Sequence, residues 1–144
     1  MIGRIARVVV SQEPFSPWES LDSWLGDASA SAVFIGRVRS QSREGNPLEA
    51  LELTHYPGMC EQQIHMNAEV LLQKYEAISA LVVHRVGQLA PGEVILLVAV
   101  TADHRGPAQS CCAALLELLK HEAPFWKREW CNGQGRWLAS NTKL

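Results

Sequence analysis

Val94-Ile95-Leu96-Leu97-Val98-Ala99-Val100-Thr101-Ala102 is an uncharged stretch rich in β-branched residues. It is far shorter than the ~20 apolar residues a membrane helix needs, and its composition predicts a central β-strand. Asp103-His104-Arg105-Gly106-Pro107 follows at once, so this strand delivers His104 and Arg105 to its end. A helix is expected to start near Pro107 and to run to Lys120, with Cys111, Cys112, Leu115, Leu118 and Leu119 facing inward. Pro124 cannot continue it, because proline lacks an N–H and restricts the residue before it. Phe125 to Glu129 should therefore leave in extended form, which places Lys120 and Lys127 on either side of a helix stop with Phe125 and Trp126 between them.

Outward from this unit the chain reads as an α+β domain. Arg4 to Val10 is a first strand, and Ser16-Pro17-Trp18-Glu19 is a capping-box start with proline at the first helical position, opening a short helix to about Leu25. Ala30 to Ser40 is a strand, Arg43 to Pro47 is a polar turn with glycine, and Leu48 to His55 alternates Leu51 and Leu53 with Glu52 and Thr54. These three segments predict a β-hairpin. Met59 to Tyr75 carries Cys60, Ile64, Ala68, Leu71, Leu72 and Tyr75 on one helical face, which makes that stripe core. Leu81 to Arg85 is a further strand, joined to Val94–Ala102 through a turn at Pro91-Gly92. The expected whole, residues 1–144, is one domain: a mainly antiparallel sheet packed with about three helices.

Composition restricts the function. With 144 residues and 47% hydrophobic content the chain can bury a substantial core, and its formal net charge of −2 provides no overall positive field for nucleic acid or an anionic membrane. Any anion must be gathered locally. No segment has the length of a membrane span, so the expectation is a cytoplasmic protein. The four cysteines, Cys60, Cys111, Cys112 and Cys131, include no Cys-x-x-Cys pair and no zinc-like spacing. They read as small hydrophobes rather than metal ligands, disulfides or nucleophiles, with Cys131, shortly after Lys127 and Arg128, the weak exception.

His84-Arg85 and His104-Arg105 both end apolar strands, where an arginine fork can hold a phosphate and a histidine can add one hydrogen bond. Lysines downstream can converge with the second pair, which favours His104-Arg105 for binding and leaves His84-Arg85 nearer to a structural cap. Arg37 and Arg39 share one face of their strand by alternation and look together into a cleft or into water. His55, His65 and His121 read as structural or exposed.

Phe34-Ile35-Gly36-Arg37-Val38-Arg39, His55-Tyr56-Pro57-Gly58-Met59, His84-Arg85-Val86-Gly87, Asp103-His104-Arg105, and Lys120 with Ala123-Pro124-Phe125-Trp126-Lys127-Arg128-Glu129 together resemble the large, catalytic subunit of molybdopterin synthase, the MoaE family. The resemblance implies that family's α/β hammerhead fold. It also implies an enzyme, a sulfurtransferase that converts cyclic pyranopterin monophosphate to molybdopterin. The sulfur comes from the Gly-Gly thiocarboxylate of a small ubiquitin-like partner, within a heterotetramer built on a dimer of large subunits whose pockets draw on both. Carried over residue by residue, Lys120 and Lys127 are catalytic and Arg39, His104 and Arg105 bind substrate. Phe34, Met59, Phe125 and Trp126 are candidate pocket walls, and no metal or cofactor is implied. Gly106-Pro107-Ala108-Gln109 replaces a usual Ala-Phe pair, so a shifted helix start is expected. Two other readings are a scaffold that binds a ubiquitin-like tail without turnover, and an enzyme acting on another phosphorylated metabolite.

Overall fold

β-Branched and apolar runs form the strands and amphipathic stripes form the helices, as set out in a computed structural model that describes residues 5–122 and 125–138. The order is β1 (Ile5–Ser11), α1 (Pro17–Trp24), β2 (Ala30–Arg37), β3 (Ala50–His55), α2 (Met59–Lys74), β4 (Ser79–Arg85), β5 (Gly87–Leu89), β6 (Val94–Ala102), α3 (Arg105–His121), β7 (Phe125–Cys131) and β8 (Gln134–Trp137). The Pro124 break, a first-strand start at Arg4 and the tail beyond Leu138 lie outside the described residues.

Two four-stranded sheets result, ordered β1-β4-β6-β2 and β5-β3-β7-β8. β1 runs parallel to β4, and the remaining pairings are antiparallel. The first sheet is covered on both faces, which is why its inner strands read as near-continuous apolar runs rather than alternating ones. On one face Val82, Val98 and Val100 pack with Ile64, Ala68 and Leu72 of α2 and with Cys111 and Leu115 of α3. On the other, Leu81, Val83, Leu97 and Ala99 receive Leu21 of α1. Each fully buried leucine or isoleucine in these layers contributes about 1.5–3 kcal/mol of transfer free energy.

Local chemistry sets the helix starts. Ser16 caps α1, its Oγ accepting from the Glu19 N–H at 3.3 Å with Pro17 at the first helical position. α3 begins at Arg105, two residues before Pro107. A proline in the first helical turn removes only an N–H that has no intrahelical partner, so the Gly106-Pro107 pair is accommodated inside the helix.

The expected hairpin between Ala30–Ser40 and Leu48–His55 does not form. β2 pairs with β6, whereas β3 pairs with β5 and β7 in the other sheet. A register shift between Gly36 and Arg37 ends the β2 ladder, and the chain crosses from one sheet to the other. Only the intervening loop folds back on itself, with Gln41 bridging Pro47 and the Ser42 N–H donating to the Asn46 carbonyl at 2.8 Å. Alternation identifies which face of a strand is buried but not which strand lies beside it. A second crossing occurs at Gly87, whose φ of 89° turns the chain from β4 directly into β5.

Where the sheets meet, Val38, Leu48, Leu53, Val86 and Leu89 form a third apolar cluster. The cleft opens beside it.

Candidate functional site

Period-2 alternation in β7 divides its side chains into two sets. Lys127 and Glu129 face a cleft of about 490 Å³, within the range of small-molecule sites. Arg128 and Trp130 point the other way, where Arg128 donates to Glu52 Oε1 at 2.8 Å and to Oε2 at 3.1 Å, and Trp130 Nε1 donates to Oε1 at 3.0 Å. The Arg128 guanidinium also lies 4.6 Å from the ring centroids of both Trp130 and Trp137. The indole and guanidinium hydrogen bonds hold Glu52 below the usual carboxylate range. This outer lattice ties β7 to β3 and leaves Lys127 on the cleft side.

α3 supplies the facing wall. Ala113, Leu116, Glu117 and Lys120 all line the cleft at helical spacing, with Lys120 in the last turn, where the negative end of the helix dipole suits a cation. Phe34 and Gly36 approach from β2, and Arg39 and Arg43 from the loop after it. Five cationic side chains, Arg37, Arg39, Arg43, Lys120 and Lys127, line the cleft against the carboxylates of Glu117 and Glu129. A chain of net negative charge therefore concentrates positive charge at one place. Burial is the main cause holding Lys127 below the ordinary lysine value, followed by repulsion from Arg43, Arg39 and Lys120. Such a lysine is suited to stabilising developing negative charge or to passing a proton.

The candidates separate in space. Lys120, Lys127, Arg39 and Phe34 meet in the cleft. His104 and Arg105 are exposed at the N-terminal end of α3, and fifteen residues at ~1.5 Å each set Arg105 about 22 Å from Lys120 along the helix. Met59 and Trp126 are exposed and outside the cleft lining, Trp126 packing edge-on against Tyr56. Phe125 lies behind the wall, in the core. Arg43 and Glu129 are cleft residues that sequence reasoning missed. Glu129 could have been found from its alternation with Lys127, whereas nothing in the pattern around Arg43 marks it. Cys60, Cys111 and Cys112 are buried, and burial raises all three thiols, Cys60 and Cys111 to about 11, which makes them inert. Among the described residues no group of three or more His, Cys, Asp or Glu could hold a metal ion.

His84 is the unexpected member of the lining. Its ring is 5% exposed and stacks on Phe125 at 4.0 Å, and Nδ1 lies 2.8 Å from the Arg85 carbonyl. Burial is the main cause pushing it from 6.5 down to about 4, with Lys127 and His55 adding to the fall and the Arg85 hydrogen bond opposing it. Above pH 6.5 neither folded nor unfolded His84 carries the proton. Below it the unfolded chain binds a proton that the folded protein refuses, so stability falls until the pH reaches about 4. The expected loss across this window is on the order of 3 kcal/mol. Urea unfolding at several pH values should show that slope in the wild type and its reduction in His84→Phe.

Two sheets joined at a cationic cleft define a class: an α+β protein with two lysines, Lys120 and Lys127, in the wall of one pocket. A family model described as MoaE protein matches residues 10–122. The chain is 42% identical over 137 residues to the molybdopterin synthase catalytic subunit of Cereibacter sphaeroides, covering 93% of this chain and 92% of that one. It is 44% identical over 109 residues to the corresponding subunit of Ralstonia nicotianae, covering 76% of this chain and 61% of that longer one. Among solved structures, molybdopterin cofactor biosynthesis protein E from Burkholderia multivorans superposes with a TM-score of 0.77 at 35% identity, covering 96% of this chain and 91% of that one. Molybdopterin synthase from Staphylococcus aureus gives 0.81 at 27% identity, covering 92% and 96%. The chain belongs to the MoaE family of molybdopterin synthase catalytic subunits.

Proposed function

We propose that this protein is the catalytic subunit of a molybdopterin synthase, converting cyclic pyranopterin monophosphate to molybdopterin with sulfur from the C-terminal thiocarboxylate of a small ubiquitin-like partner. The observation that carries the reading is the convergence of Lys120 and Lys127, from either side of a helix stop, in one cleft with Arg39. A Gly-Gly tail has no side chains to exclude it from such a cleft, and its thiocarboxylate is an anion that the cationic lining attracts. Once the thiocarboxylate sulfur has bonded to the pterin, water attacks the acyl carbon and negative charge develops on the acyl oxygen; the C–S bond then breaks, leaving the sulfur on the pterin and a carboxylate on the tail. A fixed ammonium stabilises that charge more than it stabilises the resting tail. Lys127, shifted toward neutrality, is the better candidate of the two for moving a proton.

Arg39 holds the substrate's phosphate or pterin. His104 and Arg105, too distant to serve the cleft of their own protomer, serve that of a partner in a dimer of large subunits, which with a small subunit at each end makes the heterotetramer. The reading includes cytoplasmic residence, where free thiols such as Cys131 persist.

Mixing the purified chain with thiocarboxylated small subunit and cyclic pyranopterin monophosphate should yield molybdopterin. Complex formation without product would favour the scaffold reading instead. Because a phosphate contact persists in both ground and transition states, Arg39→Ala should raise KM by roughly 10–100-fold with little change in kcat. Steady-state kinetics decides this, and a kcat defect at unchanged KM would remove Arg39 from substrate binding.

A further inference from the structure

We propose that His84 binds the tail of the small ubiquitin-like partner, its Nε2 accepting a hydrogen bond from the backbone N–H of the tail's last residue. The inference rests on the reading of the cleft as the tail's site, and what carries it is an unpaired polar atom in a buried ring. The Arg85 carbonyl can only accept, so at 2.8 Å Nδ1 must donate, and in a neutral imidazole Nε2 then carries the lone pair. Burial keeps the ring neutral. Among the described residues nothing bonds Nε2. One face of the ring is covered by Phe125 and Nδ1 is turned to the Arg85 carbonyl, which leaves the opposite face and the Nε2 edge for the cleft that His84 lines.

The surroundings select the donor. Leu96, opposite His84 in the β4–β6 register, lines the same cleft, and an acceptor against an apolar wall is costly to leave unpaired once a ligand has expelled water. A lone pair repels phosphate and thiocarboxylate, which go to Arg39, Arg43 and the two lysines. What fits it is an uncharged N–H. An extended peptide offers one at every residue, and a Gly-Gly end has no side chain to hold its backbone away from the ring. The charge of Lys127 is felt at His84, so the two share one region of the cleft. Only Cα separates the acyl carbon from the last N–H, and the same hydrogen bond therefore sets the thiocarboxylate beside the lysine. Ring N–H groups of the pterin are the other source of such a donor.

The test replaces the N–H itself. Small subunit made by peptide ligation, either with an ordinary Gly-Gly end or with an ester oxygen in place of the last N–H, is titrated calorimetrically into the full chain, wild type and His84→Phe. The phenyl ring keeps the stack on Phe125 without an acceptor. In the wild type the ester should weaken binding by about 10-fold, and His84→Phe should bind the ordinary tail about 10-fold less tightly and lose little more with the ester. An equal loss from the ester in both proteins would overturn the proposal, as would wild-type affinity of His84→Phe for the ordinary tail. Weaker binding of cyclic pyranopterin monophosphate to His84→Phe, with tail discrimination unchanged, would also overturn it and reassign Nε2 to the pterin. If His84→Phe does not fold, His84→Met supplies the same contrast. Small subunit lacking both glycines tests the underlying reading separately. Undiminished binding of that truncated form would remove the tail from the cleft and overturn both, whereas dependence on the glycines without ester discrimination overturns the role of His84 alone.

Discussion

Lys120→Ala is expected to lower molybdopterin formation by at least about 10²–10³-fold, the loss that follows removal of one charge-stabilising donor. Binding of the small subunit should stay within a few-fold of wild type. The side chain reaches the cleft from the last turn of α3, and its methylenes are half-buried against the helix edge. The core residues of that helix, Cys111, Leu115 and Leu119, lie on a different stripe, so truncation removes charge from the cleft without opening the core. Lys127→Ala should be similar but milder. Coupled product assays and titration of the complex measure the two quantities independently, and a Lys120→Ala protein retaining most of its turnover would sink the catalytic assignment.

The second large effect concerns a heterodimer. One protomer carrying Lys120→Ala and a partner carrying His104→Ala with Arg105→Ala should each be strongly impaired as homodimers. Co-expressed with two tags and purified as the mixed species, they should recover about half of wild-type activity, because one of the two clefts regains an intact set. The separation of Arg105 from Lys120 along α3, about 22 Å, favours two different clefts over one ligand shared within a protomer. No recovery in a mixed dimer that binds the small subunit normally would return His104 and Arg105 to a surface role.

Much of the architecture was legible from residues alone. The Val94–Ala102 run, the stripe from Cys60 to Leu72 and the capped start at Ser16 each specify an element through local physics: burial, helical period and a satisfied N–H. Lys120 and Lys127 were also legible, because a proline between two lysines and an extended segment after it constrain where both can point. The failed hairpin and the overlooked Arg43 share a cause. Partner choice between strands and the placement of a loop arginine depend on contacts between residues far apart in the chain, and no local pattern encodes them.

The sequence by itself determined the α+β class, the helices and their buried faces, the absence of a global cationic field and the family to which the motifs point. Only the tertiary structure decided that β2 and β3 belong to different sheets, that His84 enters the cleft wall as a neutral imidazole, and that His104-Arg105 lies at the far end of α3 from the lysines. The physical reason lies in how each property arises. Periodicity and capping are set within a few residues, whereas a pocket's charge and its shifted lysine arise where elements distant in sequence are packed too closely for water to screen them.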